Sequence, residues 1–310
     1  MASRIRTVSF WEIVRAKDDH NPRMEQVPWQ HALEDLSSRP WGQRLFITPD
    51  GDQFIGEAKF YSDALHLLVG RIGSGDLHAV DFDHGHIEDL RLDGNKGFID
   101  LTTICFLEYH NIIGIMGGSQ AAPRSSAIQY WLNASGMLTE EITLWPVISQ
   151  DVWTKLQQAS AVHNFEFTFR PNPAFVPPHD TSLFGFKQTS ERYSDHRITL
   201  KFEVPKRGPA TSRARGQRRL QEDAMQFMRD IGYMIGPNGL ERARAQVTSP
   251  TGDGFTKDEA LDFLKHQVTA KKRVEMRSGE DRRPRYTAAV DAIQEAAREH
   301  VNDLKAAVSG

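Results

Sequence analysis

Hydrophobic and polar residues alternate in several short runs of the chain, a pattern typical of β-strands with one buried face. The run RIRTVSFWEIVRA (residues 4–16) predicts an opening strand. The segment QRLFITPDGDQFIGEAKF (43–60) predicts two strands around an Asp-Gly turn, which is the commonest short hairpin signal. Further strands are predicted within residues 101–118, 141–148, 162–171, 197–205 and 241–250.

Apolar residues at helical spacing predict helices between these strands. One helix is predicted from about Arg218 to Tyr233. Thr256 and Glu259 have the spacing of a capping box, which predicts a second helix over residues 256–273. A final helix is expected from about Tyr286 to Val308, and shorter helices are predicted within residues 26–40, 125–132 and 151–159.

The order of these elements indicates a fold class and a division of the chain. Because helices and strands follow one another without regular β-α-β alternation, we expect an α+β fold: mixed or antiparallel sheets with flanking helices, two subdomains and a C-terminal helix. A chain of 310 residues is longer than a typical single domain. The sequence PNPAFVPP (171–178) interrupts the strand pattern with prolines. We therefore predict an N-terminal domain over residues 1–172 and a C-terminal domain over residues 173–310.

Composition indicates a soluble protein of a reducing compartment. The single cysteine, Cys105, lies in the apolar run TTICFLEY, where a small buried thiol is expected, and it excludes an intramolecular disulfide framework. The N-terminus lacks the apolar core of a secretory signal, and no window approaches the roughly 18 apolar residues of a membrane span. We expect a cytoplasmic protein without direct membrane insertion.

Charge is distributed unevenly along the chain. The whole sequence has a net charge of −3, but residues 201–285 contain 19 Lys and Arg against 12 Asp and Glu. Three basic clusters in this segment favour binding to a phosphate backbone, which is largely independent of base sequence. The first cluster lies in a Gly- and Pro-punctuated connection, where flexible arginines could follow a nucleic-acid backbone. The candidate nucleic-acid-binding residues are Arg213, Arg215, Arg218, Arg219, Lys271, Lys272, Arg273, Arg282 and Arg283.

The segment GIMGGSQAAPRSSAIQYWLN (114–133) places a glycine-containing loop between a strand and a helix, as phosphate-binding loops do. It lacks the Lys-Ser/Thr pair of a P-loop and the spacing of a dinucleotide fingerprint. Gly117 and Gly118 are expected to permit positive φ in a structural connection. Arg124 is a minor candidate for phosphate contact.

Two further motifs suggest metal chemistry. Asp50, Glu57 and Lys59 resemble the PD-(D/E)xK nuclease signature, in which two carboxylates hold a divalent metal, although the spacing is tighter than is usual. A solvent-facing hairpin is the alternative interpretation. The run DFDHGHIEDL (81–90) could supply zinc or manganese ligands, but a polar turn is favoured because no distal motif completes a site. We predict no cofactor and no metal.

The segment ICFLEYHNIIGIMGGSQAAPRSSAIQYWLN (104–133) resembles the RexA-like phage exclusion proteins. EITLWPVISQDVWTKL and FEFTFRP follow in the same order, and ITLKFEVPKRGPATSRARGQRRLQEDAMQFMRDI resembles the strand, basic connection and helix found late in that family. The likeness covers element order from about residue 100 onward. It implies a homodimeric cytoplasmic sensor of phage infection that binds DNA and activates a membrane ion channel of the RexB type.

These observations lead to one leading hypothesis and two alternatives. The leading hypothesis is a non-enzymatic, abortive-infection (antiviral defence) sensor that binds double-stranded DNA with little sequence specificity and signals to a membrane effector. The enzymatic alternative is a metal-dependent PD-(D/E)xK-like nuclease that uses Asp50, Glu57 and Lys59. A third possibility is a scaffold whose basic face binds an acidic protein.

Overall fold

The computed structural model describes residues 3–16, 23–48, 51–73, 78–80, 87–89, 98–169, 196–205, 207, 209–234, 240–251, 255–263, 267–276 and 286–308. These residues form two larger antiparallel sheets, a two-stranded hairpin and six α-helices. The predicted α+β fold with a C-terminal helix is confirmed.

The first sheet has eight strands and joins the two ends of the chain. Its N-terminal strand β1 (Ser3–Arg15) pairs with β8 (Ile112–Gly117) on one side. On the other side it pairs with the late strand β14 (Thr269–Glu275) and, farther along, with β9 (Ile142–Pro146). In spatial order the strands are β14 (Thr269–Glu275), β1 (Ser3–Arg15), β8 (Ile112–Gly117), β7 (Ile99–Phe106), β4 (Ala64–Ile72), β3 (Gln53–Tyr61) and β2 (Leu45–Ile47), with β9 (Ile142–Pro146) beside β1.

Helices cover both faces of this sheet. Because side chains alternate along a strand, Phe10 of β1 packs on one face and Ile13 on the other. The Phe10 face is covered by the C-terminal helices, and the Ile13 face by the first two helices. The C-terminal helices on the Phe10 face are α5 (Tyr286–Glu299) and α6 (Val301–Val308). The helices on the Ile13 face are α1 (Trp29–Ser38) and α2 (Ser125–Ala134).

The second sheet has four strands and its own hydrophobic core. One of its two central strands, β10 (Ala161–Phe169), contributes Phe165, Phe167 and Phe169, which pack on two helices. The strands in spatial order are β11 (Ile198–Glu203), β10 (Ala161–Phe169), β12 (Leu240–Pro250) and β13 (Thr256–Asp262), and the helices are α3 (Gln150–Gln158) and α4 (Ala210–Met234). A separate hairpin consists of β5 (His78–Val80) and β6 (Ile87–Asp89), and a short 3₁₀ helix spans Trp41–Gln43.

The predicted domain boundary at residues 172 and 173 lies outside the described residues. Sheet membership itself does not follow sequence order, since β14 from the late part of the chain pairs with β1 over seven positions, from Ser3 opposite Glu275 to Ser9 opposite Thr269. The division of the chain into domains 1–172 and 173–310 stays a prediction.

Most predicted elements are present, including the hairpin of β2 and β3 and the helices α1, α2 and α3. The helix predicted over residues 256–273 is wrong, because β13 and β14 occupy this segment. In the described part of the chain, no helix is both long enough and apolar enough to cross a membrane.

Candidate nucleic-acid interface

Helix α4 carries four exposed arginines within its first ten residues. The sequence pattern predicted that two of them, Arg213 and Arg215, lie in a flexible connection before a helix starting near Arg218, and this prediction is wrong, because the helix begins at Ala210. The backbone N–H of Arg213 donates to the carbonyl of Pro209 at 3.1 Å, so the first turn is already hydrogen-bonded. The helix therefore fixes the relative positions of Arg213, Arg215, Arg218 and Arg219.

Helix α4 is held against the second sheet by its apolar side. Leu220 and Ala224 are buried in the core formed with β10, β12 and α3. The side-chain amide of Gln221 donates to the carbonyl of Leu156 at 2.7 Å, which satisfies an acceptor at the C-terminal end of α3. These contacts determine which side of α4 is left for solvent.

Arg215 and Arg218 lie on the solvent side of α4. Because successive helical residues are rotated by about 100°, they project opposite to Leu220 and Ala224. Both are exposed, and within the described residues neither has a carboxylate at ion-pair distance. Their charges are therefore available to an external anion.

Arg213 and Arg219 line a groove between α4 and strand β11, which we call the β11–α4 groove. The groove has a volume of about 460 Å³. Its strand wall consists of residues 201–205, with Arg207 after them, and its helix wall consists of Ser212, Arg213, Gly216, Arg219, Leu220 and Asp223.

One carboxylate on the helix wall of this groove is close to an arginine. Burial raises the pKa of Asp223 above its ordinary value; the Arg219 charge opposes this shift, and Glu222 adds to it. Arg219 lies one helical turn before Asp223, so its positive charge is partly balanced at this position. The outward-facing Arg218 has Glu222 at the same spacing but not at ion-pair distance, whereas Arg215 has no carboxylate three or four residues away on the helix.

The second basic cluster is divided between two faces of the first sheet. Strand β14 alternates between exposed and buried positions, so Lys271 and Arg273 are exposed while Lys272 is buried. The Lys272 ammonium forms ion pairs with Glu299 at 2.6 Å and Glu295 at 3.0 Å, both on α5. Lys272 therefore stabilises the packing of α5 on the sheet. Of the three β14 cations, Lys271 and Arg273 are the ones exposed to solvent.

The charge of Lys272 is stabilised where it lies. Burial lowers the pKa of Lys272, but hydrogen bonds to Glu299 and Glu295 outweigh this effect, so that its pKa lies above the ordinary lysine value. The ammonium therefore stays protonated beside the two carboxylates. Arg282 and Arg283, the remaining candidates, lie outside the described residues.

The loop after β8 borders a second cleft, on the face of the first sheet that also carries α1 and α2. This cleft, of about 630 Å³, is lined by β1 residues Thr7, Ser9 and Trp11 and by the loop up to Arg124 and Ser125. Among described glycines, positive φ occurs at Gly51 and Gly136 and not at Gly117 or Gly118. The backbone of the loop therefore does not use the conformation predicted for these glycines.

The proposed nuclease residues are described only in part. Glu57 and Lys59 lie on β3, are both about half-exposed, and pair with each other at 3.5 Å. Asp50 and the segment 81–86 lie outside the described residues. The described part of the chain contains no group of three His, Cys, Asp or Glu side chains arranged to hold a metal ion.

Sequence reasoning did not single out Lys201 and Arg207, which also line the β11–α4 groove. The alternation in RITLKFEVP correctly predicted strand β11. What it could not show is that β11 lies at the edge of its sheet with α4 beside it, because this depends on pairing with β10 and packing across the core.

No family model matches the chain, and no curated protein matches it significantly.

Proposed function

We propose that this protein binds double-stranded DNA with little sequence specificity through the solvent side of α4. The observation that carries the proposal is the pair Arg215 and Arg218, which are held on a rigid helix and are not within ion-pair distance of any described carboxylate. Arginine fits the phosphate group through two parallel hydrogen bonds. Contacts to phosphates release condensed counterions and carry no base information, which supports sequence-independent binding.

The other two arginines near the start of the helix, Arg213 and Arg219, line the β11–α4 groove and are not part of this surface. Lys271 and Arg273 form a second exposed basic patch on β14. The resemblance to RexA-like proteins gives this binding a role: a homodimeric, cytoplasmic sensor of phage infection that signals to a membrane channel. In this proposal the protein binds DNA and does not act on it chemically.

Fluorescence anisotropy with a labelled duplex of mixed sequence tests the proposal. We expect binding in about 50 mM salt that weakens steeply as salt rises. Replacing Arg215→Gln and Arg218→Gln together should lower affinity about tenfold and reduce the slope of log K against log salt by about 2. The matched control is Arg71→Gln, which removes an exposed arginine that pairs with Asp52 at 2.6 Å on the first sheet.

Two results would contradict DNA binding through α4. The first is the absence of binding by the wild-type protein at low salt, and the second is a double variant that binds as the wild type does. Adding Mg²⁺ or Mn²⁺ to the same reactions tests the nuclease alternative. Metal-dependent cleavage that is lost in Asp50→Ala would replace our proposal with that alternative.

A further inference from the structure

Strand β11 leaves one backbone edge without a partner strand among the described residues, because it pairs only with β10 in its sheet. The N–H of Val204 donates to the carbonyl of His163 at 2.9 Å. Since hydrogen-bonded pairs alternate in an antiparallel ladder, Phe202 and Leu200 also direct their backbone groups toward β10. The N–H and C=O groups of Lys201 and Glu203 therefore point to the outer edge. Pro205, which has no N–H, ends this row of donors.

The β11–α4 groove follows this outer edge. Five consecutive residues, 201–205, line it, although neighbouring side chains on a strand point to opposite faces. A groove lined by all five must run along the strand rather than over one of its faces. The opposite wall is a stripe on α4 formed by Ser212, Gly216, Arg219 and Asp223, which are spaced by three or four residues.

This geometry fits an extended peptide. A peptide strand that pairs with an exposed sheet edge places alternate side chains toward the neighbouring helix. Gly216 lets the helix wall approach Val204 of the strand wall closely, and the apolar groups of Phe202, Val204 and Leu220 border the groove. A DNA duplex, by contrast, offers no backbone amides to pair with the edge of β11.

The charged side chains around the groove indicate the charge of the peptide that it would bind. Four cationic side chains among the described residues line it: Lys201, Arg207, Arg213 and Arg219. The two carboxylates in this described lining are Glu203, which pairs with Lys201 at 2.8 Å, and Asp223, which has Arg219 as a neighbour. The excess of positive charge favours acidic side chains in the occupant.

We propose that the β11–α4 groove binds an extended acidic segment of a partner protein, which adds a fifth strand at the edge of β11 and places its carboxylates against Arg207 and Arg219. This site is separate from the proposed DNA surface, which uses Arg215 and Arg218 on another side of α4. The two activities can therefore be lost independently of each other.

The test uses the full chain and a fluorescein-labelled peptide of sequence ETETETE. In an extended conformation all its glutamates lie on one face. We expect saturable binding measured by anisotropy, and no binding of the matched peptide KTKTKTK. Arg219→Glu should weaken binding about tenfold, because it reverses a charge in the groove. Arg218→Glu, one position earlier on the solvent side of α4, should leave the affinity within about twofold.

Backbone pairing is tested with N-methylated peptides. Only every second N–H of an added strand points toward the strand it pairs with. Methylating one alternate set of amides should abolish binding, whereas methylating the other set should preserve it. Equal binding of both methylated peptides, equal effects of Arg218→Glu and Arg219→Glu, or no binding of ETETETE would each overturn the proposal. The peptide assay contains no nucleic acid, so its failure is distinct from failure of DNA binding.

Discussion

The indole ring of Trp131 lies directly against the backbone of Gly56, so that α2 approaches β3 as closely as a residue without a side chain allows. Trp131 is fully buried, and its indole N–H donates to the carbonyl of Arg44 at 3.1 Å. A methyl group at residue 56 would overlap the ring. The position of α2 on the first sheet therefore depends on this glycine.

Gly56→Ala should destabilise the protein by about 2–3 kcal/mol, because a rigid, hydrogen-bonded ring has little room to move away from an added methyl group. The matched control is Gly42→Ala, where nothing lies within 4 Å of the added carbon. This control should change stability by less than about 0.5 kcal/mol. Urea unfolding of both variants measures the difference. Similar midpoints for the two variants would contradict the proposed overlap.

Lys271 and Lys272 should behave in opposite ways although they are adjacent in sequence. Lys272→Met keeps the length of the side chain but leaves Glu295 and Glu299 without their shared cation, so we expect a loss of about 1–2 kcal/mol. Lys271→Met removes an exposed charge and should leave stability within about 0.5 kcal/mol. Urea unfolding measures both values.

The same pair separates stability from DNA binding. In the anisotropy assay at low salt, Lys271→Met should reduce duplex affinity about twofold to threefold if its ammonium contacts phosphate, because one charge contact is lost. Lys272→Met should leave the affinity unchanged, because its ammonium is occupied by carboxylates on α5. A larger loss of duplex affinity from Lys272→Met than from Lys271→Met would contradict this assignment and show that the buried lysine contacts DNA.

Lys272 also explains why the strand β14 was not predicted. The sequence TAKKRVE places apolar residues at only two of the three buried positions, with Lys272 between Ala270 and Val274. The alternation that predicted β1, β10 and β11 is therefore hidden. The glutamates that permit the burial of Lys272 lie more than 20 residues later, on α5, and no local pattern indicates their contact.

The local sequence pattern predicted most helices and strands. Contacts between residues far apart in the sequence could not be predicted from that pattern. Pattern and turn chemistry predicted the hairpin of β2 and β3 and the helix α2 because these depend on neighbouring residues. Pro209 and Gly216 suggested a flexible connection, but α4 includes Gly216 and is held by Leu220 in the core. The arginines of the candidate site were identified by composition alone, whereas their division between a solvent face and a groove required the fold.

His66 should make the stability of the protein depend on pH. It lies on β4, is only 3% exposed, and its Nε2–H donates to the carbonyl of Tyr61 at 3.1 Å, while Nδ1 is buried and has no hydrogen-bond partner among the described residues. Burial lowers the pKa of His66 below its ordinary value, although the hydrogen bond to Tyr61 opposes this shift. Protonation of Nδ1 would place a charged N–H in the core without an acceptor.

Because this pKa is lower in the folded state, the unfolded chain binds a proton first as pH falls. The contribution of His66 to stability is therefore complete above about pH 6.5 and decreases below it. Between pH 7.5 and 5.5 we expect a loss of about 1 kcal/mol in the wild type that is absent in His66→Gln. His31→Gln, a control at an exposed position on α1, should retain the loss. Equal pH dependence in all three proteins would contradict this role of His66.

Cys105 should report on opening of the first sheet. Its side chain is 1% exposed on β7, and burial raises the pKa of its thiol far above the ordinary value, with a further contribution from Asp291. Since the thiolate is the reactive form, native protein should react with a disulfide reagent at least about a thousandfold more slowly than protein unfolded in guanidinium. Ser37→Cys, at an exposed position on α1, provides a control thiol that should react at once. Rapid, complete labelling of native Cys105 would show that the sheet beneath α5 opens far more readily than its packing indicates.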